Sequence, residues 1–225
     1  MAIPVVTIDG PSGSGKGTIS RAVAQHAGWH WLDSGALYRL VALAGETAGL
    51  APEDVAGHVE IALRMRPQFG AGPSGEGILL DGRDVTSAVR SETAGRGASR
   101  VAAWPPVRAA LLARQQGFAQ APGLVADGRD MGTVVFPQAL LKIFLTASAE
   151  ERAARRYKQL KDKDSGVSLA ALSREIAERD RRDSTRAASP LKAATDAHVI
   201  DSTALSIEAV VERVLALGRA QGLWA

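Results

Sequence analysis

The chain contains no cysteine and no asparagine, and its charges nearly balance. The lack of cysteine excludes disulfide bonds and thiolate metal sites, which is compatible with a reducing cytoplasm. The lack of asparagine excludes Asn-Lys-x-Asp, the signature with which GTP switches read guanine. Lys and Arg number 27 against 24 Asp and Glu, an excess too small to indicate bulk binding of nucleic acid.

Long apolar runs are also missing. No stretch approaches the roughly 20 apolar residues that a membrane-spanning helix needs, and Met1 leads directly into a strand-like run rather than a signal peptide. We therefore expect no membrane span and no signal peptide. With 225 residues, the chain can bury a sizeable core as one domain with insertions.

A glycine-rich loop at 10–18 is the most informative segment. It follows the apolar run 5–8 and precedes a helical stretch, so the order is strand, loop, helix. Such a loop turns backbone N–H groups toward one point beside the helix dipole, and Lys16 can reach β- and γ-phosphates. The segment predicts an ATP site made of Gly10, Pro11, Ser12, Gly13, Ser14, Gly15, Lys16, Gly17 and Thr18.

One position departs from the general form of this loop. Gly17 stands where Ser or Thr usually offers a hydroxyl to Mg²⁺, and Thr18 is turned about 100° around the helix. We therefore expect Mg²⁺ to be held mainly by phosphates and water, with Thr18 bonding a phosphate oxygen. The form Gly-Lys-Gly-Thr is similar to that of nucleoside monophosphate kinases.

Strand-like and helix-like runs alternate along most of the chain. This alternation predicts an α/β fold of the P-loop NTPase type, with helices on both faces of a parallel sheet. The predicted strands are 4–9, 29–32, 123–126, 140–146 and 197–200, and the predicted helices are 17–27, 35–49, 105–119, 148–160, 168–182 and 206–220. Residues 51–100 interrupt the alternation and predict a small inserted domain, which leaves 1–50 and 101–225 as the core.

The tetrapeptide Asp-Gly-Arg-Asp occurs twice, at 81–84 and at 127–130. In the first copy Asp-Gly is typical of a hairpin turn, and the glycine-rich run 69–77 before it is interpreted as a flexible linker. The second copy follows a buried-type strand, 124–126. Because ligands gather at the carboxyl ends of parallel strands, we expect the second copy to be the functional one.

An apolar stripe on the predicted helix 168–182 turns into charged residues. Its members, spaced three and four apart on one helical face, are Leu169, Leu172, Ile176, Arg179, Asp183 and Arg186. Charges on an inward stripe are costly unless they are paired or bind a ligand. We expect Arg179 and Arg186 to be catalytic by neutralising a transferring phosphoryl group. A solvated, salt-bridged helix end is the alternative.

The basic segment before this stripe predicts a lid. Residues 150–192 hold twelve Lys and Arg against eight Asp and Glu, which suits a polyanion such as ATP. We expect residues 155–166 to close over ATP and exclude water, with Arg156 contacting the nucleotide. The alternative is an exposed basic helix.

Ser34 and Arg39 begin the helix after the second strand. Arg39 lies about one turn into that helix, where it could meet a second phosphate group. The alternatives are an N-cap role for Ser34 and a surface ion pair for Arg39.

Four segments together resemble bacterial cytidylate kinases. They are the loop 10–18, Asp-Ser-Gly-Ala-Leu-Tyr-Arg at 33–39, Ala-Asp-Gly-Arg-Asp-Met-Gly-Thr at 126–133 and Glu-Arg-Asp-Arg-Arg-Asp-Ser-Thr-Arg at 178–186. The resemblance covers nearly the whole chain and implies that 51–100 is an enlarged monophosphate-binding domain. It also implies phosphoryl transfer from ATP to CMP or dCMP, one Mg²⁺ and a cytoplasmic, monomeric enzyme.

The resemblance implies roles for individual residues as well. The residues implied at cytosine are Ser34, Arg108 and Asp130, those at the sugar are Arg179 and Asp183, and those at phosphate are Arg39, Arg129 and Arg186. Asp127 would hold a water molecule of Mg²⁺. The chemistry agrees, because a carboxylate accepts from the cytosine N4 amino group and arginine donates to N3 and O2.

Two alternatives remain open. Another monophosphate, such as UMP or AMP, could be the acceptor. Outside enzymes, the alternative is a nucleotide-binding switch, although a passive binder would not need the arginine-rich stripe.

Overall fold

The computed structural model describes residues 3–71, 77–161 and 168–224. The chain divides into two compact units, one of Met1–Leu32 with Gln116–Ala225 and one of Asp33–Gln115. The predicted insert, 51–100, lies inside the second unit, whose bounds reach further on both sides.

Strands and helices alternate in the first unit as the sequence predicts. In chain order, the whole molecule contains β1 (Val5–Asp9), α1 (Lys16–Ala27), β2 (His30–Asp33), α2 (Ser34–Thr47), α3 (Val55–Arg64), β3 (Pro67–Ala71), β4 (Gly77–Leu80), β5 (Arg83–Asp84), α4 (Thr86–Val89), α5 (Glu92–Val101), α6 (Pro105–Gln116), β6 (Leu124–Gly128), a π-helical turn (Met131–Val135), β7 (Leu141–Thr146), α7 (Ala149–Lys161), α8 (Leu169–Thr185), β8 (His198–Asp201) and α9 (Ile207–Ala220). Every predicted strand and helix is confirmed, with ends that differ by at most three residues.

A parallel sheet in the order β2-β6-β1-β7-β8 forms the centre of the first unit. All five residues of β1 are buried, so both faces of the sheet are covered. Val6 and Ile8 pack with apolar residues of α1 and α9, whereas Thr7 and Asp9 alternate to the opposite face. None of the helices in the described parts of the chain is both long and apolar enough to cross a membrane.

The second unit contains a small antiparallel sheet in the order β3-β4-β5. The predicted hairpin turn is confirmed, since Asp81 and Gly82 join β4 to β5 with φ values of 50° and 81°. The predicted linker 69–77 is wrong at its ends, because 69–71 belong to β3 and Gly77 begins β4. Phe69 pairs with Ile78 in this sheet, so the ends of the run form strands despite its many glycines. Residues 72–76 lie outside the described residues.

Helices α2 and α5 pack closely because α5 carries small residues at the contact. A Cβ atom on Gly97 would lie 2.8 Å from Cβ of Ala42. A Cβ atom on Gly95 would lie 3.3 Å from the Arg39 guanidinium. The second unit therefore depends on glycine where these two helices meet.

Asp9, the last residue of β1, holds the start of the π-helical turn. Its two carboxylate oxygens accept from the backbone N–H groups of Met131 at 2.9 Å and Gly132 at 2.8 Å. Burial raises the pKa of Asp9 to about 6, and the nearby Asp130 carboxylate acts in the same direction. The two backbone hydrogen bonds and Arg129 lower this pKa but do not cancel the cost of burial.

This carboxyl predicts a pH-dependent contribution to stability. Asp9 titrates near 3.8 when unfolded and near 6 when folded, so the folded state binds its proton more tightly between these values. The contribution of Asp9 to stability is therefore present in acid and falls as pH rises through that window. We expect the free energy of unfolding of the wild type, relative to Asp9→Asn, to fall by on the order of 2 kcal/mol between pH 4 and 7.

Urea unfolding of both proteins at pH 4, 5, 6 and 7 measures this difference. A difference that stays constant across the series would contradict the assignment.

Candidate functional site

Glycines shape the loop between β1 and α1. A Cβ atom on Gly10 would lie 2.0 Å from the carbonyl oxygen of Leu145, so a larger residue does not fit there. Gly13 and Gly15 have φ values of 77° and 91°, in the left-handed region that glycine tolerates. Backbone of this kind gathers N–H groups on a concave side, and here it leads into the positive end of α1. The loop therefore has the geometry of an anion site.

Lys16, the first residue of α1, folds back over this loop. Its ammonium donates to the carbonyl oxygen of Pro11 at 3.3 Å. A lysine at the start of the helix that follows such a loop is the residue that reaches the outer phosphates of a nucleoside triphosphate.

Two arginines of α7 form hydrogen bonds with the backbone of the loop. Arg152 is 5% exposed and donates to the carbonyl oxygen of Ser12 at 3.1 Å and to the Asp180 carboxylate at 3.0 and 2.5 Å. Arg155 donates to the carbonyl oxygens of Ser14 and Ser202 at 3.4 and 2.6 Å. Both belong to the basic segment, yet here they position the loop backbone.

The remainder of the predicted lid is described only in part. Arg156 lies on α7 and donates to the side-chain oxygen of Gln159 at 3.1 Å. Residues 162–167, which include most of the polar end of the lid, lie outside the described residues.

A cluster of three arginines surrounds one buried carboxylate on α8. Arg129 donates to Oδ2 of Asp183 at 2.9 Å. Burial by itself would raise the pKa of Asp183, but the Arg129 guanidinium, with Arg179 and Arg186, brings that pKa below its usual range. The structure thus brings together four of the predicted site residues, with an excess of positive charge among them.

The charged stripe is shorter than predicted at both ends. Leu169 is 46% exposed, so the apolar part of the stripe begins at Leu172. Helix α8 ends at Thr185, and Arg186 follows it with extended backbone and donates through Nε to the carbonyl oxygen of Ser189. Arg186 therefore reaches the cluster from the turn after the helix rather than from its face.

Asp127, near the end of β6, is a buried carboxylate beside the start of α1. It is 3% exposed, and its Oδ2 atom accepts from the indole N–H of Trp31 at 3.1 Å. A Cβ atom on Gly17 would lie 3.8 Å from the same oxygen. The carboxylate therefore faces the first turn of α1, where the position after Lys16 has no side chain.

A magnesium site built mainly on nucleotide phosphates fits these residues. Within the parts of the chain that the structure describes, no three His, Cys, Asp or Glu side chains are grouped as metal ligands. Mg²⁺ keeps several water molecules and takes one or two carboxylates together with substrate phosphates. The single carboxylate of Asp127 beside the phosphate loop matches that preference.

Asp130 follows Arg129 directly and precedes the π-helical turn. It is 2% exposed, and its carbonyl oxygen accepts from the N–H groups of Val134 and Val135. Because Asp9 holds the first residues of this turn, the position of Asp130 depends on the end of β1.

Three predicted residues lie in the second unit. Ser34 is buried at the first position of α2, and Asp33 is the N-cap, since its side chain accepts from the N–H of Ala36 at 3.1 Å. The alternative N-cap role of Ser34 is therefore wrong. Arg39 donates to the carbonyl oxygens of Val89 and Ser91, at 2.8 and 3.1 Å.

Arg108, also in the second unit, lies over an aromatic ring. Its guanidinium carbon is 5.5 Å from the ring centre of Tyr38, and it donates to the carbonyl oxygen of Ala102 at 3.2 Å. These contacts hold the arginine in one orientation within its unit.

Several residues that support the site were not predicted as members of it. They are Asp9, Trp31, Asp180 and Ser202. Asp9 and Ser202 stand at carboxyl ends of parallel strands, so the rule that selects Asp127 and Asp130 also marks them, but it gives them no role. No local pattern marks Trp31 or Asp180, because their partners are distant along the chain.

Comparisons with known proteins agree with this geometry. The family model described as cytidylate kinase matches residues 6–220. A protein named cytidylate kinase from Stutzerimonas stutzeri is 60% identical over 215 residues, which covers 95% of this chain and 94% of that protein. Another so named, from Pseudomonas aeruginosa, is 56% identical over 223 residues, covering 98% and 97%.

One solved structure supports the fold alone. An uncharacterized protein from Eubacterium ventriosum aligns with a TM-score of 0.52 at 10% identity, covering 96% of this chain and 98% of that one. The family model and each of the two cytidylate kinases match nearly the full length of the sequence. The chain belongs to the cytidylate kinase family.

Proposed function

We propose that this protein transfers the γ-phosphoryl group of ATP to CMP and dCMP, giving ADP and CDP or dCDP. Membership of the cytidylate kinase family supports the reaction. The observation that carries it is the arginine cluster of Arg129, Arg179 and Arg186 around Asp183, in the same unit as a phosphate loop.

The proposed reaction needs little covalent chemistry from the protein. A phosphate oxygen of CMP attacks the γ-phosphorus, and the bond from that phosphorus to the β,γ-bridging oxygen breaks, so ADP leaves with the electron pair. Positioning and charge neutralisation are therefore the main tasks of the enzyme. Lys16 and the loop would hold the β- and γ-phosphates, and Arg179 and Arg186 would neutralise charge on the transferring group.

Bound Mg²⁺ would supply further neutralisation of the β- and γ-phosphate oxygens. Asp127 would hold one of its water molecules, because Gly17 offers no hydroxyl. Thr18 would bond a phosphate oxygen, and Arg156 would contact the ATP.

The residues of the proposed CMP site are those that the family resemblance implies. Those for the base are Ser34, Arg108 and Asp130, those for phosphate are Arg39, Arg129 and Arg186, and those for the sugar are Arg179 and Asp183. The ion pair with Arg129 gives Asp183 a second task, since it fixes the direction of that guanidinium.

The proposal also covers domains and setting. Residues 51–100 would carry the monophosphate-binding domain on a core of 1–50 and 101–225, and 155–166 would act as a short lid. The enzyme would be a cytoplasmic monomer.

An assay that couples ADP release to NADH oxidation tests this proposal with CMP, dCMP, UMP, AMP and GMP as acceptors. We expect the highest kcat/KM with CMP or dCMP. A clear preference for UMP or AMP, or no ADP release with any acceptor, would overturn the proposal.

Lys16→Ala should nearly abolish turnover in the same assay. Lys16 supplies positive charge at the outer phosphates and is not part of the hydrophobic core, so the fold should survive. Circular dichroism and thermal unfolding check that the variant is folded. Near-normal turnover in a folded variant would remove Lys16 from the ATP site.

Arg179→Ala and Arg186→Ala should each lower kcat by roughly 10³-fold, since arginines that stabilise the transferring group act mainly in the transition state. Arg181→Ala is the matched control, because Arg181 lies on α8, as Arg179 does, but is exposed and pairs with Glu178. Steady-state kinetics with CMP and ATP show whether each variant changes kcat or KM. If the two variants change only KM for ATP, they bind the ground state and the catalytic role is wrong.

Asp130→Asn should narrow the preference for CMP over UMP. An ionised Asp accepts from cytosine N4 but opposes the acceptor O4 of uracil, whereas Asn can donate to O4. A hydrogen bond to a charged group is worth about 1.5–3 kcal/mol, or roughly 10- to 150-fold in kcat/KM. The measurement is kcat/KM for both nucleotides on wild type and variant.

The first Asp-Gly-Arg-Asp copy provides the control for this experiment. Asp84→Asn changes the equivalent residue in the hairpin of the second unit, where Asp84 accepts from the N–H of Thr86. The control should leave the CMP:UMP ratio unchanged. An unchanged ratio in Asp130→Asn as well would show that Asp130 does not read the base.

A further inference from the structure

Trp31 contacts the carboxylate that the proposed function assigns to magnesium. It lies on β2, next to β6 in the central sheet, and its indole N–H donates to Oδ2 of Asp127 at 3.1 Å. Asp127 is buried, and the same oxygen faces Gly17 at the first turn of α1. The indole therefore bonds the carboxylate beside the phosphate loop.

The indole ring is itself held in place. The Arg21 guanidinium carbon lies 4.9 Å from the ring centre of Trp31, and Arg21 belongs to α1, the helix that begins with Lys16. Trp31 also packs against the hydrophobic core of the first unit. An indole N–H only donates, so its bond to Oδ2 favours one rotamer of the carboxylate.

We propose that Trp31 is a positioning residue for magnesium, because its indole N–H orients the Asp127 carboxylate toward a water molecule of Mg²⁺·ATP. This inference rests on the proposed function, since it requires ATP at the phosphate loop. Groups that orient the ligands of a metal contribute about 10- to 100-fold to metal affinity or activity. Asp127 would itself be such a group, because it holds a water molecule of the metal, so the indole one step further out should contribute less than about tenfold. Removing the indole N–H should therefore weaken the dependence of ATP binding on Mg²⁺ while leaving metal-free ATP binding intact.

Calorimetric titration with ATP tests this without turnover, because CMP is left out. The dissociation constant of ATP is measured once with excess Mg²⁺ and once with EDTA. The ratio of the EDTA value to the Mg²⁺ value reports how much the metal strengthens ATP binding. In Trp31→Phe an aromatic ring is still present to pack against Arg21 and the core, but the indole N–H donor is lost. We expect the ratio to fall measurably, by less than about tenfold, with the EDTA value unchanged.

Trp29→Phe is the matched control. Trp29 lies two residues away and packs edge-to-face on Trp224, with ring centres 5.5 Å apart. It should leave the ratio as in the wild type. In an Asp127→Asn background, Trp31→Phe should lower the ratio no further, because it acts through that carboxylate.

The outcomes distinguish the two proposals. A wild type that binds no ATP would overturn the proposed function. If the wild type binds ATP more tightly with Mg²⁺ than with EDTA, and Trp31→Phe leaves the ratio of the two dissociation constants unchanged, the role of Trp31 alone is overturned. Equal weakening of both dissociation constants would also overturn that role, since it would indicate lost packing.

A spectroscopic measurement on the wild type applies even if Trp31→Phe fails to fold. In ¹⁵N-labelled protein saturated with ATP, one indole N–H resonance should move when Mg²⁺ is added. The same resonance should change position in Asp127→Asn, which assigns it to Trp31. If no indole resonance responds to Mg²⁺ beyond its response to ATP, the proposal is wrong.

Discussion

The ion pair between the buried Arg152 and the partly exposed Asp180 is the interaction on which the candidate site of the first unit depends. The same guanidinium donates to the carbonyl oxygens of Ser12 and Ala147, so it joins the phosphate loop to α7 and α8. The close approach of Arg152 also favours glycine at position 13, because a Cβ atom there would lie 3.1 Å from Cβ of Arg152. A buried charge that loses its partner costs about 3–5 kcal/mol, so the shape of the loop is coupled to the helix that carries Arg179 and Asp183.

That coupling matters because α8 assembles like charges. Three guanidinium groups near one another repel, and Asp183 offsets part of the repulsion by pairing with Arg129. Its lowered pKa shows that the cationic neighbours outweigh the cost of burying the carboxylate. Donors held in place before charge develops need no reorganisation during the reaction, which is the main advantage of an enzyme site over water. In this unit the carboxylate thus organises the arginines.

The fold of the first unit was predictable because its signals are local. Strand, glycine loop and helix are contiguous, and alternation of strand and helix sets the sheet type. The supporting contacts were not predictable, because their partners are far apart in the chain. Arg152 meets Asp180 across 28 residues, Arg155 meets Ser202 across 47, and Asp9 meets Met131 across 122. A run of cations looks solvated until its distant acceptors are known.

The repeated tetrapeptide shows where local sequence stops deciding structure. In the first copy Asp81 and Gly82 form a tight turn, and the residues before it pair in a small antiparallel sheet. In the second copy the strand before it is buried and pairs in parallel with β1, so its Asp127 and Asp130 are carried to the carboxyl edge of the central sheet. The four residues are the same, but the strand before them decides whether Asp-Gly closes a hairpin or ends at a ligand edge. Position in the sheet therefore separates the structural copy from the candidate functional one.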